Sequence, residues 1–375
     1  MSKLSTLGRD AVGRFVADPA QSFTLPAWVY YDPAVFEEEK SVIFFKTWQF
    51  VGHAEQVAEP GDYITFKLFD QNILIVRGKD NEIRAFYNVC SHRAHELLEG
   101  SGNIKIITCP YHAWSYHIDG RHRSARGSER VAGFNTDEFC LKPVRIESFM
   151  NFLFVNLDAK TPSLKSLTGA LEDQIRGLAP ELDNLTFARR SEYTLKANWK
   201  NVMENFCECY HCPISHPSLM DGCLDMSSYR IETMDIWHHH TTVSPGEAKL
   251  AYGVGEAGKA RPDFGAWLLW PNICFEVYPG GYMNTFHNMP VTPELTLQHC
   301  DWYFPQSEPT PEQEEAASFV DGVREEDISI VESVQRGYHS RGYDQGRFIV
   351  DEGRTEWSEH AVHHFQGMVK QALDA

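Results

Sequence analysis

The chain has 375 residues, 42% of them hydrophobic and 13% aromatic, which is enough for about two buried cores. Its formal net charge of −18, from 34 basic and 52 acidic residues, argues against a nucleic-acid partner and is compatible with a cationic ligand or a basic protein partner. No apolar run is long enough to span a membrane, and the first twenty residues lack the apolar stretch of a secretory signal. Nine cysteines is an odd number and follows no small-secreted-domain spacing, so reduced thiols in a cytoplasm are expected.

Asp32-Pro33 reads as an N-cap followed by proline at the first helical position, with Phe36, Ile43 and Phe44 on an apolar side. After Trp48 the period changes. Residues 62–70 alternate, 72–77 are an apolar run, and 82–89 lead into a cysteine, a meander of antiparallel strands. Strand-like text returns over 142–157, and Ala159–Ser166 reads as a linker. Residues 165–180 have helical spacing, 185–196 look strand-like, and a helix is predicted from Asn198. Trp199, Val202, Phe206 and Tyr210 form its inward face, and Pro213 and Pro217 are predicted to end it. Residues 229–305, rich in aromatic and β-branched side chains, predict an antiparallel sheet. Thr310-Pro311-Glu312-Gln313 is a capping box opening a helix with Phe319, Val323 and Ile330. Periodicity alone therefore supports a mixture of α and β.

Two pairs carry the first chemistry: Cys90-x-His92 and Cys109-x-x-His112, with sixteen residues between them. Two thiolates and two imidazoles on two short loops can hold a [2Fe–2S] cluster, the histidines raising its potential. A structural zinc site is the rival, but zinc fingers pair cysteine with cysteine and histidine with histidine, whereas each loop here holds one of each. NVCSHRAHELL and ITCPYHAWSYHIDG resemble the Rieske domains of oxygenase large subunits, with Ser91 and Ala94 departing from the commoner C-P-H-R-G first loop.

The second constellation is NWKNVMENFCECYHCPISHPSL, residues 198–219. Glu208 and His211 are three apart, and His216 lies beyond a proline break that lets it swing back towards His211. Two histidines leave an iron in need of a carboxylate, as in the facial triad with open positions for O₂. Cys207, Cys209 and Cys212 are read as core residues. His238, His239 and His240 are read as ordinary sheet residues that cannot all converge, and His363 and His364 as surface residues.

E-x-x-H-x₄-H, followed later by EEDISIVESVQRG, resembles the catalytic domain of Rieske oxygenases. The resemblance implies that Asp327 completes the triad with His211 and His216. It also implies that Glu208 bridges to His112 of the partner subunit, so that the catalytic group comprises Glu208, His211, His216 and Asp327. It implies an α+β chain: an N-terminal helical segment (1–46) packing with the catalytic domain, an all-β Rieske domain (47–158), and a helix-grip catalytic domain (159–375) whose central antiparallel sheet is flanked by helices. A homotrimer, a mononuclear Fe(II), and a separate flavin or ferredoxin-type reductase drawing on NAD(P)H are part of the same expectation.

Glutamate rather than aspartate at 208, within E-C-Y-H-C, resembles the branch acting on quaternary ammonium compounds, and SVQRGYHSRGYDQGR looks closest to members acting on carnitine. Aromatic faces hold such a cation. Trp267, Trp270, Phe275, Tyr278, Tyr282 and Phe286 are the candidate cage, each also readable as sheet core. An aromatic-ring dioxygenase large subunit and a non-enzymatic Rieske electron carrier are the alternative functions.

Overall fold

The computed structural model describes residues 11–243, 250–254, 259 and 263–374. The chain divides into two units, Phe44–Leu164 and the paired segments Met1–Ile43 and Lys165–Ala375. Among the described residues the smaller unit has ten strands: β1 (Gln49–His53), β2 (Asp62–Leu68), β3 (Gln71–Arg77), β4 (Ile83–Tyr87), β5 (Ser101–Asn103), β6 (Ile107–Thr108), β7 (Ser115–Tyr116), β8 (His122–Ser124), β9 (Pro143–Phe149) and β10 (Phe152–Asn156). Seven pair in the order β1-β10-β9-β4-β3-β2-β5, and β6-β7-β8 form a small second sheet. β3 is apolar from Ile73 to Val76, where both its faces are covered. Ile73 and Ile75 join Ile64, Val144 and Leu153 in one buried cluster. Leu74 and Val76 join Phe86, Trp114, Tyr116 and the two cysteines of the paired loops in another.

The larger unit holds β11 (Thr186–Leu195), β12 (Arg230–Thr233), β13 (Trp237–Val243), β14 (Asp263–Leu269), β15 (Ile273–Tyr278), β16 (Tyr282–Thr292) and β17 (Leu295–Phe304). Their order is β11-β17-β16-β15-β14-β13-β12, and every neighbouring pair is antiparallel. The helix Pro311–Tyr338 lies over one face, where Arg324 sits 4.1 Å above the Phe286 ring. The helix Leu171–Leu178 covers the other face, where Gln174 accepts a hydrogen bond from Trp267 Nε1 at 3.2 Å.

Local chemistry fixes the ends of the functional helices. Thr310 and Gln313 form the expected capping box, each side chain accepting from the other's backbone N–H. Ala316, Val320, Val323, Arg324, Asp327 and Val331 recur at helical steps on the buried side, so two charged residues sit in an otherwise apolar stripe. Phe319 and Ile330 are only half-buried. In the N-terminal segment, Asp32 caps the helix Pro33–Glu39 by accepting from Ala34 N at 2.8 Å. Glu39, with no exposed surface, accepts from Lys200 Nζ at 2.6 Å and Trp199 Nε1 at 2.9 Å, and Tyr30 Oη donates to Glu204 at 2.6 Å. These bonds pin the segment to the helix Trp199–Phe206, which leads into the second constellation.

Candidate metal centres

The two Cys–His loops are built alike. Cys90 N donates to His95 O and Ala94 N to Cys90 O; Cys109 N donates to Trp114 O and Ala113 N to Cys109 O. Both turns need a left-handed residue, Ala94 at φ 56° and Ala113 at φ 60°. That is why the commoner first loop has glycine; alanine adopts the conformation at a cost of about 1 kcal/mol. Tyr116 Oη accepts from Ser91 N at 3.0 Å and lies 3.3 Å from Cys90 Sγ. His92 stacks on Trp114, with centroids 4.7 Å apart and planes 7° apart, and its ring lies 4.7 Å from that of His112. Both cysteines are buried, while His92 is exposed and His112 half-exposed. Burial, reinforced by the neighbouring Cys90, raises the Cys109 thiol pKa, so a bound metal is what would deprotonate it. Two sulfurs inside and two imidazoles at the rim match the donor chemistry of a Rieske cluster.

The second constellation departs from the expected long helix. The helix from Trp199 stops at Phe206, and two short helices follow, Cys212–Ser215 and Pro217–Gly222. Pro213 and Pro217 open these helices rather than ending one, because proline's missing N–H is harmless in a first turn. Tyr210 falls in the intervening turn and is 41% exposed, so it leaves the predicted inward face. Cys209 and Cys212 are joined in a disulfide that closes this turn, contrary to the expectation of free core thiols; their Cα atoms lie 4.9 Å apart there, within disulfide reach. Cys207 stays a buried free thiol.

This path brings His211, His216 and Asp327 together. Among the described residues they are the one group of three or more candidate ligands whose donor atoms converge, all within 4.8 Å. His211 Nε2 lies 3.2 Å from His216 Nε2 and 3.5 Å from Asp327 Oδ1, and His216 Nε2 lies 2.9 Å from Asp327 Oδ1. Three ligands about 2.1 Å from one ion, at right angles, form a triangle with edges of about 3 Å. The residues fit a facially held metal.

Each donor is oriented from behind. Glu208 Oε1 accepts from His211 Nδ1 at 2.6 Å and Oε2 from His211 N at 3.1 Å; Glu326 accepts from His216 Nδ1 at 2.7 Å. Each ring is thereby left with Nε2 as the atom that faces the other donors and could take a metal. Arg324 donates to the outer oxygen of Asp327 at 3.2 Å, and Asn205 Nδ2 donates to the inner one at 3.1 Å. Burial opposes charge here, but carboxylate bonds win. They raise His211 to about 10 and raise His216, while the two histidines and Arg324 hold Asp327 well below the usual carboxylate range. Glu326, Arg324 and Asn205 escaped sequence reasoning. The signal for Arg324 was its place in the apolar stripe of the long helix.

A cavity adjoins the triad. Of the six candidate cage residues, Tyr278 lines it. Trp267 and Phe275 pair with each other across β14 and β15 on the opposite face, towards the Leu171–Leu178 helix. Trp270 packs on Trp199 and Phe365, and Tyr282 on Tyr252 and Phe304. Phe286 lies under Arg324, behind the cavity wall formed by Phe206. Side-chain alternation decides the placement of Trp267 and Phe275, since the odd positions of β14 and β15 turn away from the triad. The wall instead includes Tyr229, His240, Phe264 and Glu276. His240 is thus more than a sheet residue: its Nδ1 lies 2.6 Å from Tyr229 Oη. His238 and His240 share a face and His239 takes the other, stacked on Trp237. His363 and His364 are half-buried rather than superficial, His363 stacking on Phe15.

Glu276 is 5% exposed, and burial, opposed by Arg324, Tyr278 and Asn284, pushes its pKa up to about 7. A carboxyl raised from about 4.5 holds more protons folded than unfolded, so its contribution is complete below about pH 4.5 and is lost as pH rises through about 7. Glu276→Gln should remove that part of the slope. Substrate-free variant is expected to lose less thermal stability than wild type between pH 5 and 8, by the equivalent of a few kcal/mol; parallel melting curves would contradict it.

Fold, paired loops and triad together define a Rieske oxygenase. Residues 47–135 match the Rieske [2Fe-2S] domain family and residues 182–375 match the ring hydroxylating alpha subunit (catalytic domain) family. The chain belongs to this family of oxygenase α subunits, and is an oxidoreductase of the Rieske monooxygenase type. It is 39% identical to the carnitine monooxygenase oxygenase subunit of Acinetobacter baumannii, covering 99% of both chains. It is 38% identical to that of Escherichia coli K12, covering 99% of this chain and 100% of the other. A crystal structure of a quaternary ammonium Rieske monooxygenase with its substrate L-carnitine superposes with a TM-score of 0.86 at 37% identity, over 96% of this chain and 97% of the other. The matched domains imply a [2Fe–2S] cluster and a mononuclear iron. Among the described residues no helix is long and apolar enough to cross a membrane.

Proposed function

We propose that this chain is the oxygenase component that oxidises a carnitine-like quaternary ammonium compound at a carbon next to nitrogen. The carrying observation is a triad of ligands opening on a cavity walled by aromatic rings and a buried carboxylate. Full-length similarity to carnitine monooxygenase oxygenase subunits supports the same substrate class.

In this reading Cys90, His92, Cys109 and His112 hold the cluster, and His211, His216 and Asp327 hold the iron. When bound, the cluster supplies electrons one at a time and the Fe(II) supplies O₂ activation. One O₂, two electrons and two protons give a hydroxylated carbon and water; the adduct then collapses, cleaving its C–N bond to an aldehyde and an amine. Glu208 and Glu326 fix the histidine rings, and Arg324 holds Asp327 ionised by its charge. Glu208 also accepts from His112 of the partner subunit, which makes each active site a product of two chains and the assembly a homotrimer. The chain carries no flavin or nicotinamide fingerprint. A separate flavin or ferredoxin-type reductase therefore brings electrons from NAD(P)H, in the cytoplasm.

The test is a single turnover of reduced, iron-loaded protein with O₂, offering carnitine, γ-butyrobetaine, glycine betaine, proline betaine and choline beside aromatic acids. Formaldehyde or trimethylamine from an ammonium compound is expected. A cis-diol or phenol from an aromatic acid would replace this reading with ring hydroxylation.

A further inference from the structure

The central sheet presents one transverse row to the triad. His240, Ala266, Glu276, Asn284 and Trp302 are successive register partners on β13, β14, β15, β16 and β17, and directly paired residues share a face. Ala266 is the small member of the row, and it lines the cavity between His240 and Glu276. One pleat along the same strands, Phe264 and Tyr278 meet edge to face with centroids 5.1 Å apart. Ala266, Glu276, Phe264 and Tyr278 all line the cavity that also reaches His211, His216 and Asp327.

Glu276 is the anomaly in that wall. It is the lone charged residue of β15, ICFEVY, in which every position is buried. Among the described residues, no group hydrogen-bonds its buried Oε2. Arg324, the buried cation whose charge acts on it, donates to Asp327 Oδ2 and lies over the Phe286 ring. A buried carboxylate is costly unless something pairs with it. A trimethylammonium head has no N–H to donate and meets an anion through charge alone. It therefore suits a carboxylate that lines a cavity and keeps one buried oxygen without a hydrogen-bond partner, with aromatic faces beside it.

We propose that Glu276 is the counter-ion of the substrate's ammonium head, and that with Tyr278 and Phe264 it makes the cavity select a permanently charged nitrogen over a neutral group of the same shape. This rests on the quaternary ammonium reading above. It assigns charge recognition to the sheet, on the wall beside the iron ligands, and leaves Arg324 to Asp327.

The test uses holoprotein and two ligands: L-carnitine and its neutral-head isostere, 3-hydroxy-5,5-dimethylhexanoate, in which carbon replaces nitrogen. Calorimetry on wild type, Glu276→Gln and Glu276→Asp gives each Kd without reference to turnover. Wild type should favour carnitine by on the order of tenfold to a hundredfold. Glu276→Gln should weaken carnitine by that factor and leave the isostere unchanged, while Glu276→Asp, which keeps the charge, should hold an intermediate preference. Cluster EPR and iron content should stay at wild-type levels. Equal carnitine affinity in wild type and Glu276→Gln overturns the assignment, as does equal weakening of both ligands or a Glu276→Gln protein that fails to fold. A wild type that binds no ammonium compound overturns the substrate reading and this inference together.

Discussion

Asp327→Asn is expected to lower turnover at least ~1000-fold and to empty the mononuclear iron site, with the cluster's EPR signal at wild-type intensity. Asp327 supplies the one anion in the His211–His216–Asp327 triangle, and both its oxygens are already organised for that role. Oδ1 faces the two Nε2 atoms and receives Asn205, while Oδ2 receives Arg324. Asparagine keeps the volume but offers no charge, so the two imidazoles alone must hold the ion. It also leaves buried Arg324 without its carboxylate, a loss of a few kcal/mol that a thermal melt would register separately. Iron content, measured after desalting, is the deciding quantity. Wild-type iron occupancy would place the third ligand elsewhere.

Glu208→Ala should cost at least about a hundredfold in reductase-coupled turnover, and excess Fe(II) should fail to restore it. Two separable effects are combined here. Glu208 holds the His211 ring through Nδ1 and the turn through His211 N, and removing such an outer carboxylate lowers metal affinity by roughly 10- to 100-fold. Saturating iron offsets that part. The remainder is transfer of electrons from the cluster, which the proposed hydrogen bond to His112 of the partner subunit carries. Full rescue by iron would reduce Glu208 to a residue that positions His211. Stopped-flow reoxidation of the cluster by O₂, followed with substrate present, reads the transfer step directly.

How far such roles were legible in the sequence depends on whether a local pattern encodes them. Cys90-x-His92 and Cys109-x-x-His112 were readable because each ligand pair lies within one short loop. Thr310-Pro311-Glu312-Gln313 was readable because a capping box is complete in four residues. Asp327 sits 111 residues from His216, and no spacing rule connects them; resemblance supplied it, and the fold brings them to 2.9 Å. The aromatic cage misled for a different reason. β14 from Phe264 onward and all of β15 are buried on both faces, so an apolar run gave no sign of which parity looks at the triad. The rings of Trp267 and Phe275 say nothing of parity, whereas Glu276 stands out as a charge inside an otherwise buried strand. The helix from Trp199 was overextended because Tyr210 continued its spacing by coincidence, four residues past the last helical turn.

The division of the larger unit into two stretches of sequence also sets a timetable. Cys90 to His112 leave the ribosome as one short segment, so both cysteine–histidine pairs are present before any residue of the triad is made. His211 and His216 emerge next, then wait about a hundred residues for Asp327, or roughly 5–20 s at ordinary elongation rates. The sheet they stand on is incomplete in that interval, since β17, which joins β11 to β16, is made only shortly before Asp327. The three donors that converge on one point, His211, His216 and Asp327, can therefore meet only once Asp327 has been made.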